Sequence, residues 1–175
     1  MIIQERILTS LECKEVLENF AETTLQSPHD IETESYKYRG AVIRNANINL
    51  YEPKFYRVLT LLQERLKKFG IIRIPTNTLL IEYTEGCYQD LHKDNYTSVI
   101  GSKPIRSLSL MLSDKNSYDG GSLIVGNQVI KKEAGTLAFF PSNTVHQVTQ
   151  VTSGKRLVLV MFLRQENLQI KSGLI

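Results

Sequence analysis

The chain has 175 residues, 42% of them hydrophobic, which is enough for one sizeable core and tight for two, so a single domain over residues 1–175 is expected. Its 21 basic and 18 acidic residues leave a net charge of +3, with the basic residues scattered apart from the pairs Lys67-Lys68, Lys131-Lys132 and Lys155-Arg156, so nucleic acid is a disfavoured partner. Only Cys13 and Cys87 occur, without CxxC spacing, which argues against a disulfide framework or a zinc knuckle and for a reducing compartment.

The first residues, MIIQERILTS, place Glu5 and Arg6 where a signal peptide needs apolar side chains. No later apolar run reaches membrane-spanning length, so a cytoplasmic protein without a membrane partner is expected. In TSLECKEVLENFAETTLQ, Cys13, Val16, Leu17, Phe20 and Ala21 recur at helical spacing, with Thr9 or Ser10 available as N-cap. Residues 26–50 show no clear period and read as loop with one or two short strands. A second helix follows in EPKFYRVLTLLQERLKKFG, where Phe55, Val58, Leu59, Leu62, Leu66 and Phe69 form one stripe and Gly70 can stop it.

Beyond residue 74 the character changes to short strands: TNTLLIEYT, IRSLSLMLS, GSLIVGN, GTLAFFPS and KRLVLVMFLR, with SDKNSYDGG and TSGK read as turns. The expected architecture is mainly β, a sandwich or barrel over 75–165 supported by a helical segment over 1–74.

The chemistry concentrates in CYQDLHKDNY, where Asp90, His92 and Asp94 stand at every second position and so converge if the segment is extended. His146, in PSNTVHQV, follows Asp94 by 52 residues. Two imidazoles and one carboxylate on one face of an octahedron leave three positions open, as in non-haem Fe(II) sites that hold a cosubstrate and oxygen together. Asp90 fits either the ligand face or a solvated loop, and is not counted among the ligands. Arg156, ten residues after His146, alternates in register with Val158 and Val160 and so points into the barrel, where a buried guanidinium needs an anion such as the carboxylate of a dicarboxylic acid. Tyr83 shares a face with Leu79 and Ile81, and Ser107, Ser109 and Met111 make a small, polar face suited to lining a pocket. His29 reads as an exposed loop histidine, Cys87 as a buried filler, and Asn95 as either a neighbour supporting the ligand pair or a turn former.

The stretches YTEGCYQDLHKDN, SYDGGSLIV and GTLAFFPSNTVHQVTQVTSGKRLVLVMFL together resemble the prolyl 4-hydroxylase-like family of 2-oxoglutarate/Fe(II) dioxygenases, especially its small bacterial hydroxylases, over residues 76–165. The resemblance implies a double-stranded β-helix (jelly-roll, cupin-like) core in which His92, Asp94 and His146 are the metal ligands and catalytic residues, and Arg156, assisted by Tyr83, receives the distal carboxylate of 2-oxoglutarate. It implies Fe(II) as cofactor, 2-oxoglutarate and O2 as cosubstrates, ascorbate as an accessory reductant, and hydroxylation of an unactivated C–H bond. By resemblance alone the substrate is an amino-acid residue, prolyl first, in a peptide or protein, with a free amino acid or small natural product as the alternative. Arg44, where relatives use an arginine near the substrate, and Tyr96, in the loop after the ligand pair, are the candidate substrate residues, on rim segments 44–51 and 95–104. A surface salt bridge is an equal expectation for Arg44. Cys87, Gln89 and Ser122 depart from the family pattern at the pocket mouth, which detaches the substrate from any inherited one. Asp94 occupies the position that a halogenase needs open for halide, and the apolar run between Arg156 and Arg164 separates the chain from nucleic-acid demethylases. A non-catalytic jelly-roll binding module is the rival from another class, and the presence of all three ligands weighs against it.

Overall fold

Both faces of the largest sheet carry apolar residues because it serves two cores, and the computed structural model, which describes residues 1–25, 44–94 and 103–169, shows that division. Helix α1 (Ser10–Asn19) starts where the sequence expects: the Thr9 hydroxyl accepts from the Glu12 N–H and the Glu12 carboxylate accepts from the Thr9 N–H, a reciprocal capping box. Thr9→Ala is expected to cost about 1 kcal/mol, read as a fall of about 2–4 °C in melting temperature. Helix α2 (Tyr56–Leu66) is entered through a 3-10 turn at Pro53–Phe55 and left through another at Lys67–Phe69, and Gly70 ends it at φ 75°, a left-handed conformation that favours glycine. Its stripe of Val58, Leu59, Leu62 and Leu66 is buried.

Twelve strands follow the order β1 (Ile3–Arg6), β2 (Arg44–Ile48), β3 (Thr78–Tyr83), β4 (Gln89–His92), β5 (Arg106–Met111), β6 (Tyr118–Gly120), β7 (Leu123–Val125), β8 (Gln128–Val129), β9 (Thr136–Pro141), β10 (His146–Val148), β11 (Val151–Gly154) and β12 (Arg156–Leu163) among the described residues. They form a six-stranded sheet β1-β9-β5-β12-β3-β2, a four-stranded sheet β4-β10-β7-β8 and the pair β11-β6, all antiparallel. This is a double-stranded β-helix with its helices on the larger sheet.

One face of the large sheet, with Leu80, Leu108, Leu110, Leu137, Leu159 and Met161, packs on the helices. The other face, with Tyr83, Met111, Ala138, Phe140 and Val158, closes on Leu123, Val125 and Val148 of the smaller sheet. Burying an aliphatic side chain of this size stabilises the fold by about 1.5–3 kcal/mol, so both cores resist slippage: a one-residue shift would exchange their side chains.

One expectation is corrected. The stretches read as turns, SDKNSYDGG and TSGK, contribute β6 and β11, which pair with each other. Glycine-rich segments carry little intrinsic strand signal, and here tertiary pairing supplies the strand. The N-terminus supplies β1, an edge strand on β9 too short to show a period. Within 26–50, read as loop with one or two short strands, a strand occurs as expected, at β2, while 26–43 lie outside the described residues and with them His29. None of the helices among the described residues is long and apolar enough to cross a membrane.

Candidate metal centre

The pairing of β10 with β4 sets His146 opposite His92 and Val148 opposite Gln89, so that two steps along β10 match three along β4. The extra residue is a bulge, and it breaks the simple alternation that put Asp90 beside His92. Asp90 is exposed, and its contribution is its backbone carbonyl, which accepts a hydrogen bond from His92 Nδ1 at 2.7 Å. His146 Nδ1 similarly donates to the Thr144 carbonyl at 2.9 Å. Because a carbonyl can only accept, both rings carry their proton on Nδ1 and present the lone pair of Nε2.

Those two Nε2 atoms face one carboxylate: His92 Nε2 lies 3.5 Å from Asp94 Oδ1, and His146 Nε2 lies 3.3 Å from Asp94 Oδ2. One potential ligand atom from each of the three residues lies within 4.8 Å of the others. Asp94 stands just past β4, fixed by its N–H to the Ser142 carbonyl at 2.8 Å, and its side chain is almost fully buried. The imidazoles lie 4.1 Å apart between ring centroids, and the Phe140 ring meets His146 edge-on at 4.9 Å. Burial holds the His146 pKa below the ordinary histidine value, although the Asp94 charge opposes it, so the ring favours its neutral form. Two lone pairs and a carboxylate facing one another in a buried space repel unless a cation sits between them. The donor set therefore suits a divalent metal, and its borderline nitrogen ligands with one hard oxygen suit Fe(II).

Arg156 lies deeper on β12, opposite Tyr83 of β3 in the ladder, and is 1% exposed. Its Nε and Nη1 are buried and meet no hydrogen-bond acceptor among the described residues. The guanidinium carbon sits 4.8 Å from the Tyr83 ring centroid, an arrangement that holds the cation in place without consuming its donors. An uncompensated buried guanidinium is costly, and the geometry fits an incoming carboxylate. The Tyr83 hydroxyl donates to Gln89 Oε1 at 3.0 Å, so Gln89, one of the three positions departing from the family pattern, bridges the large sheet to the bulged strand that carries His92.

The nearby glycine pair explains part of the pocket's shape. A Cβ on Gly121, which stands at φ 57°, would lie 2.8 Å from Val151 Cγ2, 3.1 Å from Arg156 Cδ and 3.3 Å from Tyr118 Cε2. The missing side chain is the space through which Arg156 reaches the barrel interior. Gly121→Ala is expected to cost about 1–3 kcal/mol from strain and overpacking, and to weaken carboxylate binding at Arg156 while sparing the metal site. Parallel melting curves and titrations with metal and dicarboxylate check this. Among expected pocket residues, Ser107 bonds Ser142 at 3.0 Å and Met111 joins the inner core. Cys87 is a buried neighbour of Tyr83, in contact with the Thr84 hydroxyl at 3.6 Å, and Ser122 is bound through its N–H to Thr149 Oγ1 at 2.9 Å.

The candidate substrate residues fare differently. Arg44 pairs across the ladder with Glu82, not Tyr83, which puts it on the helix-facing side of the sheet, where its Nη2 lies 2.7 Å from Glu82 Oε1. Its side chain is engaged in an ion pair on the outer side, the alternative its sequence context had left open. Lys155 reaches the same carboxylate at 3.6 Å. Tyr96 and Asn95 lie outside the described residues. A residue that the sequence did not single out, Tyr118, is buried beside Arg156. Its signal was the glycine pair two residues on, since such pairs mark close backbone approach.

A jelly-roll holding two histidines and one aspartate at a common point, with a buried arginine further in, defines the class of barrel built around a facially bound metal. The chain belongs to the 2OG-Fe(II) oxygenase superfamily, on its prolyl 4-hydroxylase-like side: the superfamily's sequence profile matches residues 78–164, which contain every described residue of the candidate site except the ion-paired Arg44. A PKHD-type hydroxylase of Parvibaculum lavamentivorans is 39% identical over 114 residues, covering 59% of this chain and 52% of the relative. The chain thus spans about half the length of that curated relative. Among solved structures, a prolyl hydroxylase of Trichoplax adhaerens in complex with a hypoxia-inducible-factor oxygen degradation domain peptide fragment superposes with a TM-score of 0.65 at 15% identity, covering 95% of this chain and 84% of that one. HygX of Streptomyces hygroscopicus, with nickel and 2-oxoglutarate bound, gives 0.64 at 14% identity, covering 91% and 80%. At these identities the two structures establish the fold.

Proposed function

We propose that this chain is a 2-oxoglutarate- and Fe(II)-dependent dioxygenase that hydroxylates an unactivated C–H bond, with a prolyl residue in a peptide or protein as the first substrate class. The observation that carries the reading is the pairing, within one barrel, of the His92, Asp94 and His146 cluster with the two unpartnered guanidinium nitrogens, Nε and Nη1, of Arg156. His92, His146 and Asp94 are the proposed ligands, Arg156 the anchor for the distal carboxylate of 2-oxoglutarate, and Tyr83 the residue that steadies Arg156. Fe(II), when bound, supplies the redox centre for a reaction in which 2-oxoglutarate, O2 and a C–H bond yield succinate, CO2 and an alcohol. Everything else falls to the chain. The carbonyls of Asp90 and Thr144 hold the imidazoles in the ligating tautomer. Arg156 fixes the orientation of the cosubstrate, while Phe140, Val125 and Val158 keep the interior dry.

The prolyl assignment draws on the resemblance to prolyl hydroxylases and on the peptide held by the Trichoplax adhaerens structure. Substrate reaches the barrel past its rim, and loops there set specificity more freely than strands can. The test supplies Fe(II), 2-oxoglutarate and O2 with proline-containing peptides, and follows both succinate and the mass gain of one oxygen atom in the peptide. Stimulated succinate with oxygenated proline is the expected result. Succinate formation without any peptide oxygenation would keep the dioxygenase and discard the prolyl substrate, and oxygenation of a free amino acid would move the substrate class.

A further inference from the structure

We infer that Gln89 is a specificity residue for substrate: its side-chain NH2 group donates to a main-chain carbonyl oxygen beside the residue that is oxidised in a peptide. This rests on the peptide-hydroxylase reading above. Gln89 lies opposite Val148 in the ladder, three residues before His92. Val148 belongs to the inner core with Leu123 and Val125. Directly opposed residues share a face, so the bulge that leaves Asp90 exposed keeps Gln89 on the inner face of the barrel with His92 and His146. Tyr83 and Val148 are buried whereas Gln89 is half-buried, which puts it toward the opening of the pocket and not on its floor.

A primary amide has one acceptor oxygen and two donor hydrogens. The Tyr83 hydroxyl donates to Gln89 Oε1 at 3.0 Å, and this is the only side-chain hydrogen bond of Gln89 among the described residues. Tyr83 is itself held against the Arg156 guanidinium, so the acceptor end of the amide is pinned by a fixed partner and the donor end is left for the pocket. Such a donor gains when a ligand that excludes water brings it an acceptor. The acceptor it fits is neutral, since Gln89 carries no charge, Arg44 and Lys155 turn to Glu82 on the far face of the sheet, and Arg156 lies deeper. A free amino acid brings a carboxylate, which calls for a cation. A residue within a peptide brings an amide carbonyl on each side, and a carboxamide donor is enough for it. The reach suits it as well: three residues of strand span at most about 10 Å, so one substrate residue can set its side chain at the metal while a flanking carbonyl meets Gln89.

The experiment compares wild type with Gln89→Met and Gln89→Glu. Methionine keeps the length of the side chain and removes donor and acceptor together, whereas glutamate keeps an oxygen for the Tyr83 hydroxyl and replaces only the NH2. The probe is a proline-containing peptide blocked at both ends, its oxygenation followed by mass, beside anaerobic titrations with Fe(II) and 2-oxoglutarate and melting curves of the metal-free proteins. The expected result is a KM for the peptide about tenfold higher in Gln89→Met and at least as high in Gln89→Glu, where two oxygens meet without a proton between them. The dissociation constants of Gln89→Met for Fe(II) and 2-oxoglutarate stay within about twofold of wild type, as expected for loss of one neutral hydrogen bond that neither ligand uses. An unchanged peptide KM in both variants would overturn the inference. A rise matched in both variants by an equal loss of 2-oxoglutarate affinity would also overturn it, by making Gln89 only a support for Tyr83. If wild type itself oxygenates no peptide, the substrate reading fails before any variant is compared, and the role of Gln89 fails with it.

Discussion

Asp94→Ala is expected to lower Fe(II) affinity by at least about 100-fold and to abolish Fe(II)-dependent turnover, because it removes the one anion from a proposed three-residue ligand set and leaves two imidazoles to hold a dication. The metal-free protein keeps its fold. The Asp94 N–H still reaches the Ser142 carbonyl, and the change takes away a buried carboxylate that faces lone pairs. Its melting temperature without metal should therefore equal or exceed that of wild type, while the stabilisation that Fe(II) confers on wild type disappears. Asp90→Ala is the control: its side chain is exposed and only its backbone carbonyl serves His92, so metal affinity stays within about twofold of wild type. A metal titration followed by calorimetry, repeated on both variants, reads each result. Wild-type affinity in Asp94→Ala, or a larger loss in Asp90→Ala, would remove Asp94 from the ligand set.

The second large effect is at Arg156. Arg156→Met keeps an apolar stem in the space over Gly121 but removes the cation, and 2-oxoglutarate binding is expected to weaken by about 2–5 kcal/mol, the usual cost of truncating one partner of a buried charge pair. Fe(II) affinity stays as it was, since the ligand cluster is untouched. Arg156→Lys should recover only part of the loss: it restores the charge but not the planar fork of donors. Lys155 and Arg44 do not substitute, because both turn to Glu82 on the far face of the sheet. In the metal-free, ligand-free protein Arg156→Met should not destabilise, since it relieves a guanidinium with two unpartnered nitrogens. Unchanged 2-oxoglutarate affinity in Arg156→Met would place the carboxylate elsewhere.

Much of this was legible from local pattern. The helical stripe from Val58 to Leu66 and the alternation from Arg156 to Val160 encode burial at fixed periods, and the structure buries Val58, Leu59, Leu62, Leu66, Arg156 and Val158 and half-buries Val160. Thr9 followed by Glu12 is a capping signal with a local mechanism, and it forms. What the sequence hid depends on contacts between distant segments. The bulge in β4 is set by pairing with β10, so alternation within CYQDLHKDNY could not tell Asp90 from His92. Arg44 was placed by kinship and not by register: it is the ladder partner of Glu82, and one residue of shift separates that face from the Tyr83 face. The place of Tyr118 escaped because Y-D-G-G reads locally as a turn, whereas its position beside Arg156 comes from the β11-β6 pair and the start of β12.

The central claim is that one barrel holds Fe(II) and 2-oxoglutarate together, the metal on His92, Asp94 and His146 and the far carboxylate on Arg156. Anaerobic addition of 2-oxoglutarate to the Fe(II)-loaded protein, followed by visible absorption, tests it most directly. The account predicts a weak metal-to-ligand charge-transfer band that saturates with 2-oxoglutarate, is absent in Asp94→Ala, and needs far higher 2-oxoglutarate in Arg156→Met. A wild-type protein that binds Fe(II) yet shows no such band at any 2-oxoglutarate concentration would contradict it and leave a metal-binding jelly-roll without this chemistry.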